Sequence, residues 1–162
     1  MMGAAKTGVT HYDLPSDNEV RITRVVDAPR ALVFDAWTKP DLVSQWMLGP
    51  EGWTMPVSEN DLRAGGAWRR VWRKGDGSEM AMSGINREVT PPARYVATEK
   101  WGPEWPETIN TMELSESGGQ TTVTLTIRYV SKEARDAAMK TGMKEGMEQG
   151  FGRLERLLSR LA

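Results

Sequence analysis

Cysteine is absent from the 162-residue sequence, and histidine occurs once, at His11. Without cysteine the chain has no disulfide, no thiol nucleophile and no thiolate ligand for a metal. A single histidine argues against a histidine-based catalytic triad and against a zinc site. Any catalysis would therefore use carboxylates, lysine, tyrosine or hydroxyl groups, and we expect neither a bound metal nor a cofactor.

Long hydrophobic runs and an excess of positive charge are also missing. No stretch of about 18 apolar residues occurs, so we expect no membrane span. The 21 Lys and Arg residues balance 22 Asp and Glu residues, which argues against a dedicated nucleic-acid-binding protein. Residues 1–17 have neither an apolar signal-peptide core nor periodicity, so we expect a mobile tail and a cytoplasmic location. Residues 18–162 are expected to form a single domain.

The apolar residues that are present form an unusual set of seven Trp and ten Met against two Phe. Tryptophan carries a polar N–H group and methionine is flexible, so both suit irregular spaces and adaptable binding surfaces. The same residues also fill loosely packed cores.

The sequence pattern predicts a strand, two short helices, six further strands and one long helix. Residues 19–26 alternate as a half-buried strand, and helices are predicted from Pro29 to Thr38 and from Pro40 to Gly49. Six runs between residues 53 and 130 are separated by short Gly and Pro turns, which indicates antiparallel hairpins. From Ser131, a predicted cap, apolar residues recur every three or four positions to residue 161, as in one continuous helix.

This order of elements, with four stretches of sequence, resembles a known superfamily. The stretches are DAPRALVFDAWTKPDLVSQWMLGPEGWT, AGGAWRRVW with the KGDGSE turn, MSGINREVTPPARYV and EGMEQGFGRLERLL. The chain resembles the START-related SRPBCC superfamily and, within it, the bacterial homologues of the activator of heat-shock protein 90 ATPase. The resemblance implies an α+β helix-grip fold, in which a curved antiparallel sheet of about seven strands packs its concave face against the C-terminal helix, and a deep cavity between the two. The superfamily includes ligand carriers, cyclases, hydrolases and chaperone partners, so it implies no single function.

Strand alternation predicts which side chains face that cavity. Trp68, Arg70 and Trp72 share one face of their strand, and the face that carries two Trp is the better candidate for burial. Applying the same parity to the other strands, and adding apolar helix residues, gives the predicted ligand-binding set: Trp37, Trp46, Trp68, Arg70, Trp72, Met80, Met82, Asn86, Glu99, Trp101, Asn110, Met112, Met143, Met147 and Phe151. The alternative is that these side chains meet the helix and leave no cavity.

Arg70 is the most informative residue of this set, because alternation places its charge between two Trp side chains. A buried guanidinium without a partner is costly. Glu99, on the same face as Trp101, is the predicted partner in a structural ion pair. The alternatives are that Arg70 anchors the carboxylate or phosphate of a ligand, or that the predicted strand phase is wrong and Arg70 lies on the surface.

A binding module for a small hydrophobic or amphipathic molecule is the function that we favour, and it is favoured over an enzyme. The first alternative is a module that binds a chaperone as its protein partner. The second is a cyclase or hydrolase that uses cavity carboxylates, for which Glu88, Glu99 and Glu113 are candidates. No residue is assigned as catalytic.

Overall fold

An eight-stranded sheet and four helices make up residues 7–162, the part of the chain that the computed structural model describes. The strands are β1 (Thr10–Asp13), β2 (Glu19–Val26), β3 (Trp53–Asn60), β4 (Ala67–Lys74), β5 (Glu79–Thr90), β6 (Arg94–Trp101), β7 (Thr108–Ser117) and β8 (Gln120–Arg128). The helices are α1 (Arg30–Thr38), α2 (Pro40–Trp46), α3 (Lys132–Met139) and α4 (Met143–Leu161). The predicted α+β helix-grip architecture is confirmed.

All neighbouring strands of the sheet are antiparallel, in the order β1-β2-β8-β7-β6-β5-β4-β3. From β3 to β8 the sheet is a meander, because each strand pairs with the next one in the chain. Only β2 pairs with a distant strand: Glu19 lies opposite Arg128, and Val26 lies opposite Thr121.

The sheet has one strand more than the seven predicted. The additional strand, β1, lies inside the segment predicted to be a mobile tail, so that prediction is wrong for residues 10–13; residues 1–6 lie outside the described part of the chain. Two long-range contacts hold β1. The Tyr12 hydroxyl donates to Glu148 Oε1 over 3.1 Å, and Arg24 Nη1 donates to Thr10 Oγ1 over 2.7 Å. A strand of four residues that is held by such contacts is too short to show a clear hydrophobic alternation in the sequence.

The C-terminal segment is two helices rather than the predicted single helix. The break is at Gly142, whose φ of 79° lies in the left-handed region that favours glycine. The predicted cap is confirmed, since Ser131 Oγ accepts a hydrogen bond from Ala134 N over 3.0 Å. At the end of α4, Leu157 is buried and Leu161, which the pattern placed on the apolar face, is 41% exposed.

The helices cover one face of the sheet, and the main core lies between the helices and that face. The core combines α1, α2 and α4 with inward residues of the strands, such as Val20, Ile22 and Val123. Near the β1–β2 end, Arg24 lies under α4 and is only 5% exposed. Its guanidinium bonds to Glu155 and Glu148 and lies 4.9 Å from the centroid of the Phe151 ring. These contacts of the buried Arg24 fix α4 to β2.

No helix in residues 7–162 combines the length and apolar character needed to cross a membrane.

Candidate functional site

The inner face is the name used here for the side of β4, β5, β6 and β7 that lies under the helices. On β4 the strand phase is as predicted: Trp68, Arg70 and Trp72 are 4%, 7% and 4% exposed, whereas Arg69 and Arg73 face solvent. A charged side chain therefore lies between two buried indoles. The inner face combines large apolar groups with a small number of polar ones, which is typical of small-molecule sites.

Arg70 has no carboxylate partner. Its guanidinium lies over the Trp68 ring, 4.6 Å from the ring centroid, and Nη1 donates to Met47 Sδ over 3.3 Å. Within residues 7–162, no carboxylate oxygen lies within 4.0 Å of an Arg70 guanidinium nitrogen, the distance that defines an ion pair. Burial lowers the pKa of Arg70, while the nearby Tyr95 and Glu99 act in the opposite direction. The predicted ion pair between Arg70 and Glu99 is therefore wrong, although the two residues influence each other.

Glu99 is held instead by neutral donors. Trp101 Nε1 donates to Oε1 and Asn110 Nδ2 donates to Oε2, each over 2.6 Å. Burial raises the pKa of the Glu99 carboxyl, and these two hydrogen bonds together with the charge of Arg70 only partly offset that effect. Both carboxylate oxygens keep a further lone pair, so Glu99 can accept from another group as well.

Asn110 supplies a second acceptor beside Glu99. Its Nδ2 donates a hydrogen bond to the Glu99 carboxylate, but its Oδ1 is buried and has no hydrogen-bond partner among the described residues. Buried acceptors of this kind are rare in folded proteins and call for a specific explanation. Asn110 lies opposite Ala97 on one side and Ile127 on the other, so its surroundings are otherwise apolar.

Aromatic stacking between Trp72 and Trp101 forms part of the inner face beside Arg70 and Glu99. The rings of Trp72 and Trp101 are 5.5 Å apart at the centroids and inclined by 11°. Trp72 Nε1 donates to the Met47 carbonyl over 2.8 Å, which fixes the indole. Met82 and Met112, 4% and 3% exposed, continue the apolar surface.

A close approach between β5 and β6 positions Trp68 on the inner face. The register between the two strands shifts near Asn86, and a Cβ at Gly84 would lie 1.8 Å from the Thr98 carbonyl oxygen. That oxygen accepts from Trp68 Nε1 over 3.1 Å. Only glycine permits the two backbones to approach in this way.

Three of the predicted site residues lie elsewhere, in an aromatic cluster of the core. The Trp37 ring centroid is 4.7 Å from that of Trp46 and 6.1 Å from that of Phe151. Trp46 Nε1 donates to the Ala36 carbonyl over 2.8 Å. These rings join α1, α2 and α4 rather than lining the inner face beside Arg70.

Asn86 and Met80 also stand apart from the polar groups. Asn86 is fully buried, donates both amide hydrogens to Asn60 and Asp61, and accepts from the Tyr95 hydroxyl. Both Nδ2 hydrogens of Asn86 are therefore already used in hydrogen bonds within the protein. Met80 lies opposite Trp72 on β5 but is 37% exposed near the end of the strand.

Met143 and Met147 are partly buried at the beginning of α4 and pack against the core. Met143 Sδ is 3.8 Å from the Tyr129 hydroxyl. Burial, with a smaller contribution from the Glu99 charge, raises the pKa of Tyr129 to about 12. Tyr129 thus connects the start of α4 with the Glu99 side of the inner face.

Tyr129 and Met47 were missed by the sequence reasoning. Tyr129 could have been found, because it continues the inward alternation of Val123, Leu125 and Ile127 one step beyond β8. Met47 could not, since it follows α2 in a non-helical conformation and contacts Arg70 only through tertiary structure.

Comparison with known proteins adds a family and several structural relatives. A family model described as Activator of Hsp90 ATPase homolog 1-like protein matches residues 27–159. A crystal structure of a protein from Rhodobacter sphaeroides is similar, with 26% identity and a TM-score of 0.89, over 93% of this chain and 98% of that one.

Two further crystal structures are similar over most of their length. A protein from Nitrosomonas europaea is 25% identical with a TM-score of 0.80, over 91% of this chain and 97% of that one. A protein from Chromobacterium violaceum is 26% identical with a TM-score of 0.75, over 86% and 96% respectively. Among curated proteins, none matches.

Proposed function

The chain belongs to the family of Activator of Hsp90 ATPase homolog 1-like proteins, and from this premise we propose that it is a binding module for a small hydrophobic or amphipathic molecule. The molecule lies against the inner face, between the sheet and the first turns of α4. No chemical step is required of the site, and no residue is assigned a catalytic role.

The observation that carries the proposal is the state of Arg70. Its guanidinium is buried on an apolar face with a thioether and an indole as neighbours, and no carboxylate neutralises it. Burying a charge in this way is costly unless a partner of opposite charge or several acceptors compensate. A ligand that carries an anionic or strongly accepting group supplies that compensation.

Tryptophan fluorescence tests the proposal, because Trp72 and Trp101 stack at the inner face. We expect a neutral dye, N-phenyl-1-naphthylamine, to bind saturably and to quench this emission. Trp101→Phe should reduce the quenching substantially. Trp105→Phe is the matched control, since Trp105 is 40% exposed in the turn after β6 and should leave the titration unchanged.

A titration with neither saturation nor quenching contradicts the proposal. Mass spectrometry of natively purified protein, before and after denaturation, gives an independent answer by detecting a released small molecule.

A module that binds a chaperone is the second candidate, supported by the description of the family rather than by the inner face. Its test is the ATPase rate of heat-shock protein 90 with and without this protein. A stimulated rate that persists in Arg70→Met would favour the chaperone function over the binding module.

A further inference from the structure

Arg70 has donor capacity that the described residues do not use. Its one hydrogen bond goes from Nη1 to Met47 Sδ, and a thioether is a weak acceptor. Within residues 7–162, Nε and Nη2 have no hydrogen-bond partner, and neither atom is completely enclosed. Both atoms therefore keep some accessible surface, although the residue as a whole is only 7% exposed.

Acceptor capacity is unused on the other side of the inner face. Asn110 Oδ1 is buried without a partner, and it belongs to the same side chain that donates to Glu99. Two acceptors thus lie together, a neutral amide oxygen and a carboxyl group. Glu99 already accepts from Trp101 Nε1 and Asn110 Nδ2, whereas Asn110 Oδ1 accepts from no donor among residues 7–162.

The register of the sheet separates these donors and acceptors. Arg70 on β4 lies opposite Met82 on β5, and Met82 lies opposite Trp101 on β6. Glu99 is two residues from Trp101 on β6, and Asn110 is on β7. With strands about 4.8 Å apart, β4 and β6 are separated by about 10 Å. Met82 of β5 lies between Arg70 and Trp101, so the surface between the two strands is apolar at that point.

Resting on the proposed binding function, we propose that the ligand is bipolar, with an apolar body about two fused rings long. At one end it carries a carboxylate or other anionic acceptor that Arg70 binds. At the other end it carries a hydroxyl or amine whose hydrogen is accepted by Asn110 Oδ1 and Glu99. A plain fatty acid satisfies only Arg70 and leaves the amide oxygen unpaired, and sites built to accept a ligand hydrogen discriminate strongly against analogues that lack it.

A four-compound series tests this proposal by calorimetric titration. The probe is 6-hydroxy-2-naphthoate, which has both groups at opposite ends of a two-ring body. The comparison compounds are 2-naphthoate, which lacks the hydroxyl; 2-naphthol, which lacks the carboxylate; and 6-methoxy-2-naphthoate, which cannot donate. In the unchanged protein we expect 6-hydroxy-2-naphthoate to bind at least about 10-fold more tightly than each of the others.

Two variants show which side chain binds the carboxylate of the probe and which binds its hydroxyl. Arg70→Met should reduce the affinity for 6-hydroxy-2-naphthoate to that for 2-naphthol. Asn110→Leu should reduce it to that for 2-naphthoate. The matched controls are Arg69→Met and Thr111→Val, the next residues on the same strands, and both should leave the affinity of every compound unchanged.

The outcomes separate this inference from the proposed function. If all four compounds bind the unchanged protein saturably and within about threefold of one another, the bipolar ligand is wrong and the binding function stands. If none of the four binds and the neutral dye also fails to bind, the binding function itself is wrong. The ligand series uses the unchanged protein, so it decides the question even if Asn110→Leu fails to fold.

Discussion

Arg70 and Glu99 face the same side of the sheet without forming an ion pair. The carboxylate is held by Trp101 and Asn110, while the guanidinium lies over Trp68. Hydrogen bonds hold Glu99 and stacking on Trp68 holds Arg70, so the two opposite charges stay apart. Under the proposed function both groups bind a ligand, and their separation also affects the stability of the protein without ligand.

Arg70→Met should raise the free energy of unfolding of the ligand-free protein by about 1 kcal/mol, because methionine replaces a buried charge that no carboxylate compensates. Urea denaturation of both proteins measures the change. In a cycle with Glu99→Gln, the coupling energy should stay below about 1 kcal/mol, because the two charges influence each other without a direct contact. Arg69→Met is the control. A loss of more than about 1 kcal/mol in Arg70→Met would show that the stacking on Trp68 outweighs the cost of burial.

The stability of the protein should fall as the pH rises above 4.5 in a way that depends on Glu99. Burial raises the folded-state pKa of Glu99 above the ordinary value of 4.5. The contribution of Glu99 to the free energy of unfolding is therefore fully present below pH 4.5 and is lost as the pH passes the folded-state pKa. The charged and titratable groups that face it are Arg70 and Tyr129, and the pKa of Tyr129 is about 12.

Thermal denaturation between pH 4.5 and about pH 8 measures this dependence. The Tm of Glu99→Gln minus that of the unchanged protein should become more positive as the pH rises. Glu113→Gln is the control, since Glu113 is exposed and pairs with Arg94. Parallel Tm curves for Glu99→Gln and the unchanged protein would show that burial does not perturb the Glu99 carboxyl.

Gly84→Ala should lower the free energy of unfolding by about 3 kcal/mol, because the new Cβ would lie 1.8 Å from the Thr98 carbonyl oxygen. Gly146→Ala is the matched control. It lies in α4 with nothing within 4 Å of an added Cβ, so it should raise the stability by about 0.5–1 kcal/mol. Chemical denaturation of both variants distinguishes them, and equal stability of Gly84→Ala and the unchanged protein would contradict the close approach of β5 and β6.

Glu155→Gln should cost about 1–2 kcal/mol, because the longer contact to Glu148 at 3.3 Å is then the only ion pair of the buried Arg24 guanidinium among the described residues. The expected loss is smaller than for a fully enclosed pair, since the Glu155 side chain is 34% exposed. Glu79→Gln removes the solvent-exposed partner of Arg73 and should not change the melting temperature measurably. Similar losses in both variants would mean that burial does not strengthen the contact of Arg24.

Local pattern was sufficient to predict most of the fold. Alternation gave the phase of Trp68, Arg70 and Trp72, and the position of Ser131 gave the start of α3. The break at Gly142 was missed because Met139 and Met143 keep a helical spacing across it. A period of four residues does not reveal a change in backbone direction.

The site was predicted less completely, and the reason is geometric. Parity assigned Arg70 and Glu99 to the same side of the sheet but gave no distance between them across two strands. The register shift near Asn86 alters how β5 and β6 align, and a shift of this kind follows from backbone packing rather than from hydrophobic alternation. Likewise, no pattern in the sequence placed Met47 against Arg70.

The pairing of β2 with β8 also determines the order in which the sheet can be completed during synthesis. Each hairpin from β3 to β8 closes between neighbouring segments as they leave the ribosome, but Glu19 must wait for Arg128. Until then β2 pairs only with β1 and its other edge stays open, the kind of edge on which nascent chains associate wrongly. The hairpin of β1 and β2 is therefore made before the meander from β3 to β8 but joins it only at the end, so the solubility of the nascent chain depends on how quickly β8 follows.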